Sequence, residues 1–277
     1  MEWWQHLPEN ISPVIFSLDS FQLRWYGMMY VVAFGVVYLL VTYRLRTESF
    51  SITKDDVQSW FLWALLGVLL GGRLGYVLFY DPIMFVENPL GVFLPIDIRN
   101  GLQFTGLSGM SYHGGLIAVF LLTLWFCRRH KIRFLKFADL VVPAIPLGYT
   151  FGRIGNFING ELYGRITSVP WGMYFPKDYS GQLRHPSQLY EAFFEGIVLF
   201  IILWGWRKRQ TLKGMFLPIY LIGYGVVRFF IEFVRQPDAH LGTPFWLFTV
   251  GQILCLVMIF AGLMMMWWVR QQPQRET

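Results

Sequence analysis

Three arginines, Arg73, Arg153 and Arg228, lie inside apolar, glycine-rich stretches of the chain. A charge at the centre of a lipid bilayer costs at least ~2.5 kcal/mol even on the lenient insertion scales. Buried guanidinium groups at such a cost imply a polar interior that holds an anion. The guanidinium fork matches a phosphate in a bidentate way, and it can stabilise the charge that develops on a phosphate leaving group.

Arg153 stands in the stretch Gly148-Tyr-Thr-Phe-Gly-Arg-Ile-Gly-Asn156. Arg153 and Asn156 are spaced i, i+3, which places both on one face of a helix. Small residues at this spacing let a neighbouring helix or a ligand approach the backbone closely. The alternative is that the glycines only pack helices while Arg153 extends to the membrane interface.

Arg228 belongs to a polar stripe on an otherwise apolar helix. Tyr224, Arg228, Glu232 and Arg235 recur at i, i+4, i+8 and i+11. Such a stripe fits a functional arginine, and it equally fits an internal ion pair between Arg228 and Glu232. Both interpretations can hold, because a carboxylate can fix the orientation of the guanidinium fork.

Arg73 is surrounded by Gly67, Gly71 and Gly75, which recur every four residues. This spacing predicts a close-packing helix face, with the arginine off that face. Packing is therefore favoured over ligand binding for Arg73.

His113 follows a glycine- and serine-containing loop and precedes two glycines. It is a candidate general base, although a single histidine is more often a hydrogen-bonded structural group. The other notable histidine, His185, precedes Pro186 and Ser187, which read as the start of a helix.

The composition is that of a chain embedded in lipid. Apolar residues make up 55% of the sequence and charged residues 14%, against about 25% charged in soluble domains. Runs near the ~20 residues that a span requires predict seven transmembrane helices in an all-α polytopic protein. They lie at Trp25–Tyr43, Val57–Tyr80, Gly114–Phe126, Ala138–Phe157, Leu189–Trp206, Met215–Phe233 and Phe245–Val269.

The loops alternate in charge. One set of loops, with the C-terminal tail, holds 14 basic residues and the other set holds 6. By the positive-inside rule the tail faces the cytoplasm and the N-terminus faces outward. The outward segments are the longer and more irregular ones, and the segment 159–187, with strand-like pieces such as Trp171–Phe175, predicts a small external head within a single integral domain, 1–277.

Several classes are disfavoured. The basic excess of the interhelical loops is a topology signal, so no nucleic-acid partner is expected. The first 20 residues show no cleavable signal peptide, and Cys127 and Cys255 predict neither a disulfide nor a metal site.

Buried arginines without dense carboxylates suit an enzyme or binder that acts on an anionic phospholipid near the outer leaflet. A transporter or flippase that holds phospholipid without reaction is the alternative, although no inverted pair of broken helices is visible. An intramembrane protease would need a Ser-His pair, an Asp pair or a metal-binding His-Glu set, and no such pattern occurs in the spans.

Several blocks of sequence resemble the bacterial prolipoprotein diacylglyceryl transferases, and they occur across nearly the whole chain. The blocks are Arg24–Gly27, Gly71–Gly75, Tyr112–Gly115, Gly152–Arg165, Arg184–Glu191 and Tyr224–Asp238.

The resemblance implies an inner-membrane enzyme whose site faces the periplasm, with the head and the irregular loops on that side. Such an enzyme moves the diacylglyceryl group of phosphatidylglycerol to the lipobox cysteine thiol of a prolipoprotein signal peptide, releasing glycerol phosphate, without a cofactor or a metal. His113, Arg153 and Arg228 would be catalytic. The residues implied to bind substrate are Tyr26, Arg153, Asn156, Glu161, Gly164, Arg228, Glu232 and Arg235.

Overall fold

A computed structural model describes residues 2–18, 21–93, 96–97, 103–104, 109–237 and 248–272. The described chain is mostly helical and forms two compact units, one of Met1–Glu48 with Ala138–Thr277 and one of Ser49–Phe137. The predicted start of the seventh span at Phe245 lies outside the described residues.

The elements follow one another in this order. The α-helices are α1 (Glu2–Gln5), α2 (Leu7–Asn10), α3 (Trp25–Thr47), α4 (Lys54–Tyr80), α5 (Met84–Glu87), α6 (Tyr112–Arg129), α7 (Phe134–Val141), α8 (Ile145–Ile158), α9 (Ser187–Glu191), α10 (Leu199–Trp206), α11 (Phe216–Ile231) and α12 (Val250–Gln271). Short 3₁₀ turns lie at Leu90–Val92, Val142–Ala144 and Gln210–Leu212, and a π-helical stretch, Ala192–Val198, joins α9 to α10. Two antiparallel hairpins pair β1 (Val14–Leu18) with β2 (Phe21–Arg24) and β3 (Ile96–Asp97) with β4 (Gln103–Phe104).

Five helical runs of the described chain are long and apolar enough to cross a membrane, so the protein is a multi-pass membrane protein. They are Trp25–Thr47, Lys54–Tyr80, Phe134–Ile158, Ser187–Trp206 and Val250–Gln271. Two of the seven predicted spans do not reach this standard: α11 is apolar but has 16 residues, and α6 has 18 residues that end in two arginines.

Two of the long helices begin with a capping box. Thr53 accepts a hydrogen bond from the amide of Asp56, whose carboxylate accepts one from the amide of Thr53. Thr249 and Gln252 make the same reciprocal pair at the start of α12. Each box satisfies amides that the first helical turn leaves unpaired, so these two start points follow directly from the sequence.

The predicted glycine face of α4 is confirmed. A Cβ atom on Gly71 would lie 2.2 Å from the Cβ of Ala118, and one on Gly75 would lie 2.7 Å from the Cα of Gly114. These distances are below any real carbon contact, so α4 and α6 approach each other only because these positions lack side chains.

Arg73 is bound by backbone carbonyl groups of its own unit. Its guanidinium is buried and donates hydrogen bonds to the carbonyl oxygens of Gly91 at 2.6 Å, Val92 at 3.2 Å and Gly109 at 3.2 Å. Carbonyl groups that would otherwise be unpaired are thereby satisfied. The charge orders the loop that follows α4, which agrees with the prediction of a packing role.

In the other unit, α3 packs against α8 through glycines. A Cβ on Gly148 would lie 2.6 Å from Val37, and one on Gly155 would lie 3.2 Å from Met29, whereas Gly152 has nothing within 4 Å. The predicted close approach of a neighbouring helix is therefore confirmed at two of the three glycines. Gly152 faces open space.

A second buried arginine, Arg44, anchors the C-terminal end of α3. Arg44 is 1% exposed, donates to the carbonyl oxygens of Asp139 at 2.5 Å and Leu140 at 2.8 Å, and pairs with Glu48 at 2.7 Å. This contact connects α3 to the end of α7, which leads through the 3₁₀ turn into α8. It holds in place the helix that carries Arg153.

The segment between α8 and α9 is irregular. Gly164 bridges to Arg235, and Arg184 bridges to both Ile166 and Met173. The strand-like stretch predicted at Trp171–Phe175 thus makes a single bridge and no named strand. Phe157, Met173 and Phe175 form a small buried cluster here, against which the N-terminal residues Trp4, Leu7 and Ile11 pack.

Candidate active site

The candidate site is a buried cluster of charges contributed by three helical runs. Arg153 comes from α8, and Glu191 and Glu195 come from the run Ser187–Trp206. Arg228 lies near the end of α11 and Glu232 is the residue that caps that helix. These helices are otherwise apolar, so the charged side chains face one another instead of lipid.

Arg153 is held along one edge and open along the other. Its Nε donates to the hydroxyl oxygen of Tyr149 at 2.6 Å and pairs with Glu191 at 2.7 Å, and its Nη1 donates to Asn156 Oδ1 at 3.2 Å. The guanidinium carbon also lies 4.7 Å from the centre of the Tyr149 ring. No described residue accepts a hydrogen bond from Nη2, so this nitrogen is free to contact an anion.

Glu191 is the centre of the cluster. Its side chain is 0% exposed and pairs with Arg153 at 2.7 Å, with Arg228 at 3.0 Å and with Arg235 at 3.5 Å. A buried carboxylate is tolerated only when it is paired, and here one carboxylate serves three guanidinium groups. Its position therefore sets the spacing between Arg153 and Arg228.

The predicted ion pair between Arg228 and Glu232 is present at 3.2 Å, on Nη2 of the arginine. The other terminal nitrogen, Nη1, faces Glu191 at 3.0 Å and Glu195 at 3.7 Å. Both ends of the Arg228 fork thus face carboxylates. The two arginines differ: Arg153 has a free nitrogen, whereas Arg228 supplies positive field at a fixed position.

Glu232 is fixed by the start of α12. The hydroxyl of Thr249 donates to its Oε1 at 3.2 Å. A Cβ on Gly251 would lie only 2.6 Å from the same oxygen. The carboxylate therefore fits against α12 only because glycine occupies that position.

Asn156 connects the arginine to the loop that follows α8. Its amide nitrogen donates to Glu161 Oε1 at 3.1 Å, while its amide oxygen accepts from Arg153. The shared helix face predicted for Arg153 and Asn156 is therefore confirmed. Gln188 closes the chain of contacts, since its Nε2 donates to the backbone carbonyl of Glu161 at 2.7 Å.

The carboxylate content corrects one expectation from the sequence. Few carboxylates were expected near the buried arginines, and this expectation is wrong. Three guanidinium groups are interleaved with three carboxylates in the described cluster, which is therefore close to neutral: Arg153, Arg228, Arg235, Glu191, Glu195 and Glu232. Mutual neutralisation allows charges of this number to be buried together.

Of the other predicted site residues, Tyr26 and Gly164 belong to the unit that holds the charge cluster, and His113 belongs to the second unit. The Tyr26 ring packs beside Gly155, next to Asn156, and its hydroxyl lies 3.1 Å from that of Tyr30. Gly164 pairs through its backbone with Arg235. His113 belongs to the Ser49–Phe137 unit, where it is the second residue of α6 and is exposed, with its ring 5.7 Å from that of Tyr112.

Tyr149, Glu191 and Glu195 were not selected from the sequence. The hydroxyl of Tyr149 accepts from Arg153 and donates a short hydrogen bond to Glu195. One signal was available: Glu191 and Glu195 are two carboxylates at i, i+4 in an apolar run, and Tyr149 precedes Arg153 by four residues. A buried carboxylate calls for a buried cation, and that reasoning selects them.

The segment 159–187, next to the site, has its own ion pair. Arg184 Nε lies 2.6 Å from Asp178 Oδ2, and hydrogen bonding from this guanidinium lowers the pKa of the aspartate below its usual 3.8. Burial lowers the pKa of His185 below its usual 6.5, so the imidazole stays neutral near pH 7. It contacts the hydroxyl of Tyr190 at 3.2 Å.

Fold and cluster together define a class: a multi-pass membrane protein that buries an arginine with a free nitrogen inside a neutral network of charges. No group of three His, Cys, Asp or Glu side chains in the described ranges is placed to hold a metal ion. A family model described as prolipoprotein diacylglyceryl transferase matches residues 13–268. The chain belongs to the prolipoprotein diacylglyceryl transferase family.

Similar proteins carry the name phosphatidylglycerol–prolipoprotein diacylglyceryl transferase. One from Chlorobaculum tepidum is 56% identical over 273 residues, which cover 98% of this chain and 94% of the relative. Another from Campylobacter jejuni is 44% identical over 95% of this chain and 96% of the relative. A third from Treponema pallidum is 42% identical over 92% of each chain.

Proposed function

We propose that this protein transfers the diacylglyceryl group of phosphatidylglycerol to the cysteine thiol of a prolipoprotein lipobox, the first step of lipoprotein maturation. The sulfur forms a bond to the glyceryl carbon, and the bond from that carbon to the phosphate oxygen breaks. The electron pair stays on the oxygen, so glycerol phosphate leaves, and the thiol proton goes to a base. The product peptide carries a thioether.

Arg153 carries this proposal. Its Nη2 is the one nitrogen of that guanidinium without a described acceptor, while its other two nitrogens are bound to Tyr149, Glu191 and Asn156. A guanidinium fixed in this way needs little reorganisation when negative charge grows on the leaving phosphate. In the proposed complex Arg153 contacts the phosphate directly, and Arg228 strengthens the field.

Asn156, Glu161, Tyr26 and Glu232 support the headgroup site in this proposal. Asn156 and Glu161 continue the hydrogen-bond network from Arg153, and Glu232 fixes Arg228. Gly164 and Arg235 join the loop to the end of α11 through one backbone bridge, which keeps the two halves of this site in register.

His113 is our candidate for the base. The acceptor thiol has an ordinary pKa near 8.5, so a proton acceptor raises the reactive fraction at neutral pH. The imidazole of His113 is exposed and makes no hydrogen bond to any described residue, so no described group blocks it from a substrate. A His113→Gln variant should lose far more turnover than phospholipid affinity. Equal losses of both would point to a structural histidine.

The membrane arrangement that fits this function has seven spans. The shorter helices α6 and α11 add to the five long runs. A hydrophobic stretch that is short for the bilayer is accommodated by local thinning of the bilayer and by flanking side chains that extend to the interface. In this arrangement the chain is one integral domain, 1–277, of the bacterial inner membrane. The N-terminus, the head at 159–187 and the active site face the periplasm, and the C-terminus faces the cytoplasm.

The test is direct transfer in detergent. Purified protein is incubated with phosphatidylglycerol and a synthetic lipobox peptide, and the peptide is weighed by mass spectrometry. We expect a mass gain of one diacylglyceryl group that is absent with a Cys→Ser peptide and with Arg228→Ala. Folded protein that binds phosphatidylglycerol but makes no adduct would support a lipid transporter instead.

A further inference from the structure

Gln188 carries a buried acceptor that the charge cluster leaves unused. The side chain is 0% exposed, and its Nε2 donates to the Glu161 carbonyl at 2.7 Å. No described residue donates a hydrogen bond to its Oε1. Since a buried polar atom without a partner is costly, a donor is expected at this oxygen when the site is filled.

Gln188 belongs to the same helix face as the central carboxylates. Gln188, Glu191 and Glu195 follow one another at i, i+3 and i+7, and all three are fully buried. Gln188 is also connected to Arg153 through the chain of contacts by Glu161 and Asn156. The unused acceptor therefore lies in the network that holds the phosphate-binding arginine.

We propose that Gln188 Oε1 accepts a hydrogen bond from a hydroxyl group of the phospholipid headgroup, and so selects a hydroxyl-bearing headgroup. This inference rests on the proposed function. With the phosphate on Arg153, the headgroup extends into the neighbouring part of the network. A neutral amide oxygen suits a neutral O–H donor, whereas an ammonium group would be buried against that oxygen while the nearby carboxylates already pair with guanidinium groups.

The test compares two lipids in two proteins. Phosphatidylglycerol and phosphatidylpropanol share the same phosphodiester, but the second headgroup has no hydroxyl. Gln188→Met removes the acceptor at similar side-chain length. We expect the unmodified protein to prefer phosphatidylglycerol by about threefold to tenfold in kcat/KM, the range for one neutral hydrogen bond. In Gln188→Met the preference should fall to about one.

Ser187→Ala is the matched control. Its hydroxyl donates to the Leu162 carbonyl at 2.9 Å. This contact matches that of Gln188 with the Glu161 carbonyl, because each joins the start of α9 to the loop that follows α8. This variant loses the attachment but retains Gln188 Oε1, so it should keep the preference. If Gln188→Met does not fold, the lipid preference of the unmodified protein still tests the inference, because the preference must be present if Gln188 Oε1 binds the headgroup hydroxyl.

The outcomes are separable. Equal loss with both lipids in Gln188→Met would mean that Gln188 only packs, and would overturn the inference. A change confined to the KM of the peptide would also overturn it, by assigning the donor to the acceptor peptide. Transfer without any headgroup preference in the unmodified protein defeats this inference alone. Transfer from neither lipid would defeat the proposed function.

Discussion

Tyr149→Phe removes a single hydroxyl group from the centre of the cluster. That hydroxyl accepts from Arg153 Nε at 2.6 Å and donates to Glu195. The aromatic ring remains, so the contact between the ring and the Arg153 guanidinium is retained. The substitution therefore tests whether the hydroxyl fixes the arginine.

The expected loss follows from one charge-assisted hydrogen bond. Such bonds contribute about 1.5 to 3 kcal/mol, and Arg153 Nε keeps its contact with Glu191 at 2.7 Å. We therefore expect kcat/KM for diacylglyceryl transfer to fall roughly 10-fold to 150-fold. Because Glu195 also loses a donor while it stays buried, the melting temperature in detergent should fall as well.

The assay is initial-rate transfer to a lipobox peptide over a range of phosphatidylglycerol concentrations. Tyr163→Phe is the control, since the described partner of that hydroxyl is the Lys177 carbonyl at 3.3 Å, to which it donates. Its removal should change neither quantity beyond twofold, roughly the effect of a weak exposed bond. If Tyr149→Phe lowers the melting temperature but leaves kcat/KM intact, the idea that Tyr149 positions Arg153 is wrong.

Four further outcomes are expected. Arg228→Lys keeps the charge but cannot reach carboxylates on both sides, so transfer should fall at least about tenfold, and unchanged turnover would contradict the role of the fork. Gly164→Ala would put a Cβ 2.5 Å from a backbone oxygen, so thermal unfolding should show a stability lower by about 1 to 3 kcal/mol. Gly152→Ala is the control and should not destabilise the protein, because a Cβ there meets no atom within 4 Å. Arg44→Met leaves the carbonyl oxygens of Asp139 and Leu140 without their donor, while Glu48 keeps Arg207 at 3.3 Å. Stability should fall by about 1 to 3 kcal/mol without a change in lipid preference, which melting curves and rate ratios can separate. Asp178→Asn should destabilise the protein at pH 7, because a carboxylate with a depressed folded pKa stabilises the fold only while it is ionised. The difference in stability from the unmodified protein should close as the pH falls below the ordinary aspartate pKa of 3.8. A difference that persists at low pH would refute this.

Local patterns predicted the parts of this protein that local geometry determines. The shared face of Arg153 and Asn156 and the Arg228–Glu232 pair are contacts within three or four residues, so helical spacing is sufficient to find them. The glycine face of α4 is likewise visible as a repeat. The capping boxes at Thr53 and Thr249 are local signals of the same kind, but they were not used, and these spans were expected to begin at Val57 and Phe245.

Span boundaries were predicted less well. The first span was expected to end at Tyr43, but α3 continues to Thr47. A window of apolar residues ends before the first charged residue, Arg44. The helix continues past that residue because Arg44 pairs with a carboxylate and donates to a backbone carbonyl. The fourth span was expected to begin at Ala138, yet its helical run begins at Phe134.

Spacing along the chain can mark Glu191 and Glu195 as buried carboxylates, but it does not show which arginines they pair with. Glu191 contacts arginines from α8 and α11, and those contacts exist only once the three helical runs are assembled. Composition made the carboxylates look sparse, because they are few along the chain and concentrated in space. The distinction between an arginine with a free nitrogen and one with an occupied fork also depends on that assembly.

The central claim is that glycerol phosphate leaves from a phosphate held by Arg153. It is tested most directly by counting glycerol phosphate released against thioether peptide formed, in the unmodified protein and in Arg153→Gln. We predict one glycerol phosphate for each peptide adduct, with both products reduced together in Arg153→Gln. Adduct formation without glycerol phosphate, or an Arg153→Gln variant as active as the unmodified protein, would contradict it.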